Sequence, residues 1–175
     1  PIWLSVGRLV YYKGLETAIQ ALTKLPGRLL IVGEGPLQER WAALARRCGV
    51  ADRVVWLGKV NADYLAGLYR AATALLFPSN ARSEAFGLVQ VEAMASGCPV
   101  INTAIPNSGV SWVSLHGETG LTVGVGDADG IVAAATRLID EPELRERLAA
   151  NARKRAIELF DYRETTRRNI EIYSR

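Results

Sequence analysis

At 175 residues the chain has enough length for one domain with a real core and not for two of ordinary size. Its 49% apolar and 22% charged composition is that of a globular fold, and apolar runs such as Leu29–Val32 and Ala74–Phe77 are strand-sized, too short to span a membrane as helices. The net charge of +3 lies wholly in Glu143–Arg175, where nine basic residues face six acidic ones. This surplus is read as a solvated helical face, with an anionic membrane surface or a partner domain as the sharper alternative, and no nucleic-acid partner is expected.

From the N-terminus, Ile2–Val6 is a strand and Leu15–Leu25 a helix, with Leu15, Ala18, Ile19, Leu22 and Leu25 on one face. Starting at Pro1 directly ahead of that strand, the chain reads as a piece of a longer protein, with no signal peptide. Arg28–Val32 is the second strand; "GEGP" follows, then a helix from about Pro36 to Cys48. Val54–Leu57 is the third, leading to Asn61 as a helix cap and a helix to about Ala71. Ala74–Phe77 leads through "PSNARS" to a helix that starts near Phe86 and ends at Gly97. Val100–Thr103, an irregular stretch, Leu121–Val123 and a helix from about Asp127 follow, and a helical tail spans about 143–175. Continuous apolar strands alternating with helices predict a parallel, doubly wound α/β domain over 1–175, with right-handed crossovers and C-terminal helices.

In such a domain ligands bind outside the carboxyl ends of the strands. Those loops hold the informative residues: "GRLVYYKG" with Arg8 and Lys13, "GEGP", "GKVN", and Glu84 with "FG" at a helix start. Two cations, several glycines and a helix N-terminus on one edge make a diphosphate site. In the helix after Glu84, Leu88, Val91 and Ala95 are expected to pack on the sheet, which leaves Glu92 looking along the cleft edge. Carboxylates on both sides of an anion site suit a ligand with hydroxyls on both sides of a diphosphate, the layout of a nucleotide sugar.

Glu84-AFGLVQV-Glu92 is an E-x7-E motif, and it continues into "AMASGCPVI". With "GRLVYYKG", "VGEGP" and "GLTV" in the same order, the chain resembles the C-terminal, donor-binding half of the retaining glycosyltransferases of family 4, a Rossmann-like half of the GT-B fold. The resemblance implies that Arg8 and Lys13 bind the donor diphosphate and stabilise the leaving group, and that Glu84 holds donor-sugar hydroxyls, these three forming the catalytic set. It implies that Gly7 and Ala85 border the donor and that main-chain amides at Phe86, Gly87 and Leu88 contact sugar and phosphate. Glu92 would accept from the ribose, and the backbone around Lys59 and Val60 would read the base. The implied donor is GDP- or UDP-linked, with no cofactor or metal required. The implied acceptor is a glycan or lipid-linked glycan, bound by an N-terminal domain absent from this chain, so the fragment is expected to be inactive alone. A cytoplasmic location is implied, with peripheral membrane association as the variant.

One stretch departs from the family: Ser111 and Trp112 stand where Pro-Glu is common, which leaves Trp112 open between core packing and the acceptor side. Asp127 and Asp129 superficially match a metal-binding D-x-D but precede a helix, which favours capping. "GEGP" lacks the third glycine of a dinucleotide fingerprint, which argues against a dehydrogenase. A glycosidase needs opposed carboxyls and no phosphate loop. Cys48 and Cys98 are read as unpaired thiols of a reducing compartment, and His116, the only histidine, completes no metal cluster or triad. The rival from another class is a nucleotide-sugar-binding or scaffolding module without transfer activity. Ile157, Phe160, Ile170 and Tyr173 of the tail are expected to be partly exposed, awaiting the other half.

Overall fold

The structure is a computed structural model that describes residues 1–161. Six strands, β1 (Ile2–Val6), β2 (Arg28–Val32), β3 (Val54–Gly58), β4 (Ala74–Phe77), β5 (Val100–Thr103) and β6 (Gly120–Val123), form one parallel sheet ordered β3-β2-β1-β4-β5-β6. The chain winds outward from β1 to one edge, returns to β4 beside β1, and winds to the other edge. This is the doubly wound Rossmann arrangement, and its order reverses between β1 and β4.

Both faces of the sheet are covered, which is why β4 and β5 are buried at every position. One layer holds α1 (Leu15–Leu22), α2 (Gln38–Arg47) and α6 (Ala128–Asp140), packed through Leu15, Ala18, Ile19, Leu22, Trp41, Ile131 and Leu138. The other holds α3 (Ala62–Ala71), α4 (Leu88–Ala95) and the short α5 (Val110–Val113), through Tyr69, Ala93, Met94, Val110 and Val113. The long α7 (Pro142–Phe160) serves both: Leu144 and Leu148 join the first core, Ala152 and Ala156 the second.

Several boundaries differ from the sequence expectation for local reasons. α1 stops at Leu22 because Thr23 turns its hydroxyl onto the Gln20 carbonyl (2.7 Å) and Pro26 follows; Leu25 is still buried, just past the helix. α2 starts at Gln38, two residues after the expected Pro36. α4 starts at Leu88, not Phe86, because Gly87 takes a left-handed φ of +77° and a side chain there would meet the Phe77 ring, 2.5 Å from Cζ. That rotates the helix, so the expected packing face holds only in part: Val91 packs on the second core, but Leu88 is 70% exposed and Ala95 is exposed, while Gln90, Ala93 and Met94 point inward. Gln90 is tolerated inside because its amide donates to the Phe86 carbonyl (3.0 Å) and accepts from Asn102 (3.0 Å). The stretch between β5 and β6 contains α5, which no periodicity announced.

Asp127 caps α6, accepting from the Gly130 amide at 2.7 Å, and Asp129 pairs with Lys24 at 2.7 Å. Among the described residues no group of three or more His, Cys, Asp or Glu side chains could hold a metal ion, and no helix is long and apolar enough to cross a membrane. Ile157 is 55% exposed and Phe160 is half-buried, both partly exposed as expected, and the Phe160 ring also sits edge-on against Phe86 and Trp112 at 5.7 and 5.6 Å. Ile170 and Tyr173 lie outside the described residues.

Candidate active site

Where β1 and β4 part, the loops after them must face each other, and this crevice collects most of the residues singled out in the sequence. The β1 loop is held from below by buried Leu9, whose amide donates to the Glu34 carbonyl (2.9 Å) while its carbonyl accepts from the Leu37 amide (3.1 Å). "GEGP" therefore buttresses the loop. The β1 and β4 loops touch directly: the Asn80 amide donates to the Tyr12 carbonyl at 2.8 Å, and a side chain at Gly14 would sit 2.0 Å from the Pro78 carbonyl.

This contact brings Lys13 to Glu84. The Lys13 ammonium donates to Glu84 Oε2 at 2.5 Å, and the Ser79 hydroxyl donates to the same oxygen at 3.1 Å. Ser79 is wholly buried, and its carbonyl accepts from the Thr103 hydroxyl. Lys13 also lies 5.1 Å from the centre of the Phe77 ring, a cation–π contact. Gly7 borders the lysine, since a Cβ there would lie 3.0 Å from Lys13 Cε. Arg8 is exposed on the rim beside it.

The backbone carrying Glu84 is itself clamped. Ser108 Oγ donates to the Glu84 carbonyl (2.6 Å) and the Gly109 amide to the Ala85 carbonyl (2.8 Å). These contacts come from the stretch that departs from the family pattern. Trp112, just beyond, is neither core nor free: it is 55% exposed, leans on Phe86 at 6.2 Å and is stacked by Arg155 at 5.4 Å. Arg155 also donates to the Trp112 and Val113 carbonyls at 2.7 and 3.1 Å, so α7 braces the loop that braces Glu84.

α4 begins immediately after, and no side chain caps it. Its first-turn amides at Leu88 and Val89 lie at the positive end of the helix dipole, and Gly87 at that end abuts the Phe77 ring that Lys13 also meets. Ala85 is exposed and Phe86 half-buried at this mouth.

The two carboxylates of the motif do different things. Glu84 is buried and paired; Glu92 is exposed, on the α3 side of α4, and its Oε2 accepts from the Tyr69 hydroxyl at 3.0 Å. Burial, together with the Glu92 carboxylate beside it, pushes the Tyr69 phenol above its ordinary range and keeps it a neutral donor. Beside Glu92 lies a mostly apolar cleft of about 270 Å³ lined by Ala62, Leu65, Ala66, Tyr69 and Ser96. Lys59 and Val60 lead into the same α3; Lys59 is exposed and pairs with Glu34 at 3.2 Å, and Val60 packs on the second core. Ser79, Ser108 and Tyr69 were missed in the sequence. Ser79 follows a predicted strand and was findable, whereas Tyr69 reads as one more residue of an amphipathic helix.

Comparison with known proteins agrees with this geometry. A family model described as glycosyl transferases group 1 matches residues 1–155. D-rhamnosyltransferase WbpZ of Pseudomonas aeruginosa is 37% identical over 158 residues, covering 90% of this chain and 41% of that protein. Sucrose-phosphate synthase of Thermosynechococcus elongatus superposes with a TM-score of 0.89 at 34% identity, over 99% of this chain and 45% of that one. HepE of Anabaena, solved in complex with UDP, superposes equally well (0.89) at 27% identity, over 99% of this chain and 48% of that one. The chain thus spans less than half the length of each. With the doubly wound sheet, the loops that meet at its switch point and a match over 155 residues all in agreement, the chain belongs to the group 1 glycosyl transferases and has the Rossmann-like fold of one half of a GT-B enzyme.

Proposed function

We propose that the chain is the donor-binding half of a retaining glycosyltransferase that moves a hexosyl group from a nucleotide-diphosphate sugar to a glycan or lipid-linked acceptor. The observation that carries this reading is the contact of Lys13 with Glu84 at the switch point. It puts a phosphate-binding cation against an acceptor for sugar hydroxyls, where the bond between diphosphate and sugar belongs. The main-chain amides at Phe86, Gly87 and Leu88, which lead into α4, complete the phosphate cradle together with Arg8. Glu92 takes the ribose hydroxyls, and the backbone at Lys59 and Val60 meets the base.

In the reaction, the acceptor hydroxyl attacks the anomeric carbon on the face from which the diphosphate departs, so configuration is retained. Charge growing on the departing diphosphate is met by Arg8, Lys13 and the α4 dipole, of which Lys13 and the dipole are in place beforehand; this electrostatic stabilisation supplies the main rate gain. The reading requires no metal ion. The acceptor is held by a separate N-terminal half in a cytoplasmic enzyme that can sit at a membrane surface, and the chain alone binds donor weakly without turnover. UDP in the HepE structure favours a uridine nucleotide, with guanosine as the other series.

Isothermal titration with UDP, GDP, UDP-glucose and GDP-mannose tests it. Binding of one series, weakened at least about tenfold by Lys13→Ala and by Glu92→Ala, is expected. In the two-domain protein, Glu84→Gln should abolish transfer; donor binding without any transfer by the unmodified two-domain protein would instead make this a binding module.

A further inference from the structure

The family motif supplies Glu92, but an exposed carboxylate on a helix has several rotamers and does not by itself aim at a ligand. The structure answers this with a residue outside the motif. Tyr69 lies on α3 with 2% of its surface exposed, in the second core, and only its hydroxyl reaches out, to Glu92 Oε2 at 3.0 Å. Its ring cannot swing, because it is packed. Among the described residues Glu92 is its hydrogen-bond partner. Burial makes this bond costly to leave unmade, so it holds firmly.

We propose that Tyr69 is a positioning residue of the donor site: it pins one oxygen of Glu92 and so fixes the other, Oε1, toward the ribose diol of the nucleotide. The inference rests on the reading of Glu92 as the ribose acceptor. Helix α3 makes the arrangement more than local. Its N-terminus is capped by Asn61, whose side chain accepts from the Tyr64 amide at 2.8 Å, directly after the Lys59–Val60 turn that meets the base. Tyr69 lies eight residues further, about 12 Å along the axis at ~1.5 Å per residue. One rigid helix therefore carries the base-facing turn at one end and the support of the ribose carboxylate at the other, with Ala62, Leu65 and Ala66 as the apolar wall between them. The distance between the two contacts is set by α3 and not by loops, which preorganises the site for a nucleoside.

Tyr69→Phe keeps the packed ring and removes only the hydroxyl, so its unfolding midpoint should stay close to that of the unmodified chain. The measurement is isothermal titration of the unmodified chain, Tyr69→Phe, Glu92→Ala and the double variant with UDP, GDP and the 2′,3′-dideoxy form of whichever binds. Tyr69→Phe is expected to weaken binding of the ribonucleotide by about three- to tenfold, the range of one hydrogen bond. It should leave the dideoxy form unaffected and have no further effect in the Glu92→Ala background. Equal weakening of ribo and dideoxy forms would mean that Tyr69 only shapes the domain, and would overturn the proposal. Unchanged ribonucleotide binding would overturn it as well. Loss with Glu92→Ala but not with Tyr69→Phe leaves the donor reading standing and removes this one, whereas binding by the unmodified chain that is indifferent to Glu92→Ala removes both.

Discussion

Replacing Lys13 with alanine tests the heart of the site without any ligand. The Lys13 and Glu84 side chains are 16% and 10% exposed, so the substitution strands a carboxylate in a place that water barely reaches. Removing one member of a buried pair typically costs about 3–5 kcal/mol, because the remaining charge is desolvated and unpaired. Here the Ser79 hydroxyl still donates to Glu84 Oε2 at 3.1 Å and some solvent remains, which lowers the expected loss to about 2–3 kcal/mol. For a domain of this size each kcal/mol moves the thermal midpoint by about 2–4 °C, so a fall of about 4–12 °C is expected. The companion variant decides the cause. Adding Glu84→Gln removes the stranded charge while keeping an acceptor for Ser79, and the double variant should recover at least about half of the loss. Thermal and urea unfolding of the two single variants and the double variant read this directly. A fall below about 2 °C for Lys13→Ala, or a double variant no better than the single, would show that the two groups are not paired in the free protein, and the argument from their contact would collapse.

Two further expectations follow from packing. Gly87→Ala forces a side chain into a left-handed backbone against the Phe77 ring, which should cost roughly 2–4 kcal/mol and displace the start of α4. A midpoint within about 2 °C of the unmodified chain would mean that α4 can begin elsewhere. Of the two free thiols, Cys98 is buried and burial pushes it up to about 12, while Cys48 is half-buried near the end of α2. At pH 8 a thiol reagent should therefore modify Cys48 first and reach Cys98 only on unfolding; two fast equivalents would refute the burial of Cys98.

Position in the sheet was legible early because it depends on pattern alone. Runs such as Ala74–Phe77 are apolar at every residue, which only a strand buried on both faces requires, and their alternation with helices forces parallel crossovers. The same logic put Arg8, Lys13, Gly7, Glu84 and the α4 start at one edge, since each follows a strand. The rotation of α4 was not legible. Leu88, Val91 and Ala95 looked like its packing face, but of these only Val91 packs on the core; Gly87 turns the backbone, and Gln90 takes an inward position with partners at Val110 and Asn102 from other segments.

The sequence alone thus determined the architecture, the edge that holds the candidate site and the residue types gathered there, because short-range periodicity and strand-end spacing are properties of a single chain segment. Only the tertiary structure decided which partners meet. Lys13 and Glu84 are 71 positions apart, Glu84 is clamped by Ser108 from a stretch that reads as irregular, and Glu92 is steadied by Tyr69 from another helix. Which of two similar carboxylates is buried and paired, and which stays exposed at a cleft, depends on the helix rotation that Gly87 and Phe77 impose on each other. That contact joins β4 to the start of α4, so it exists only once the sheet has formed and the helix has docked on it.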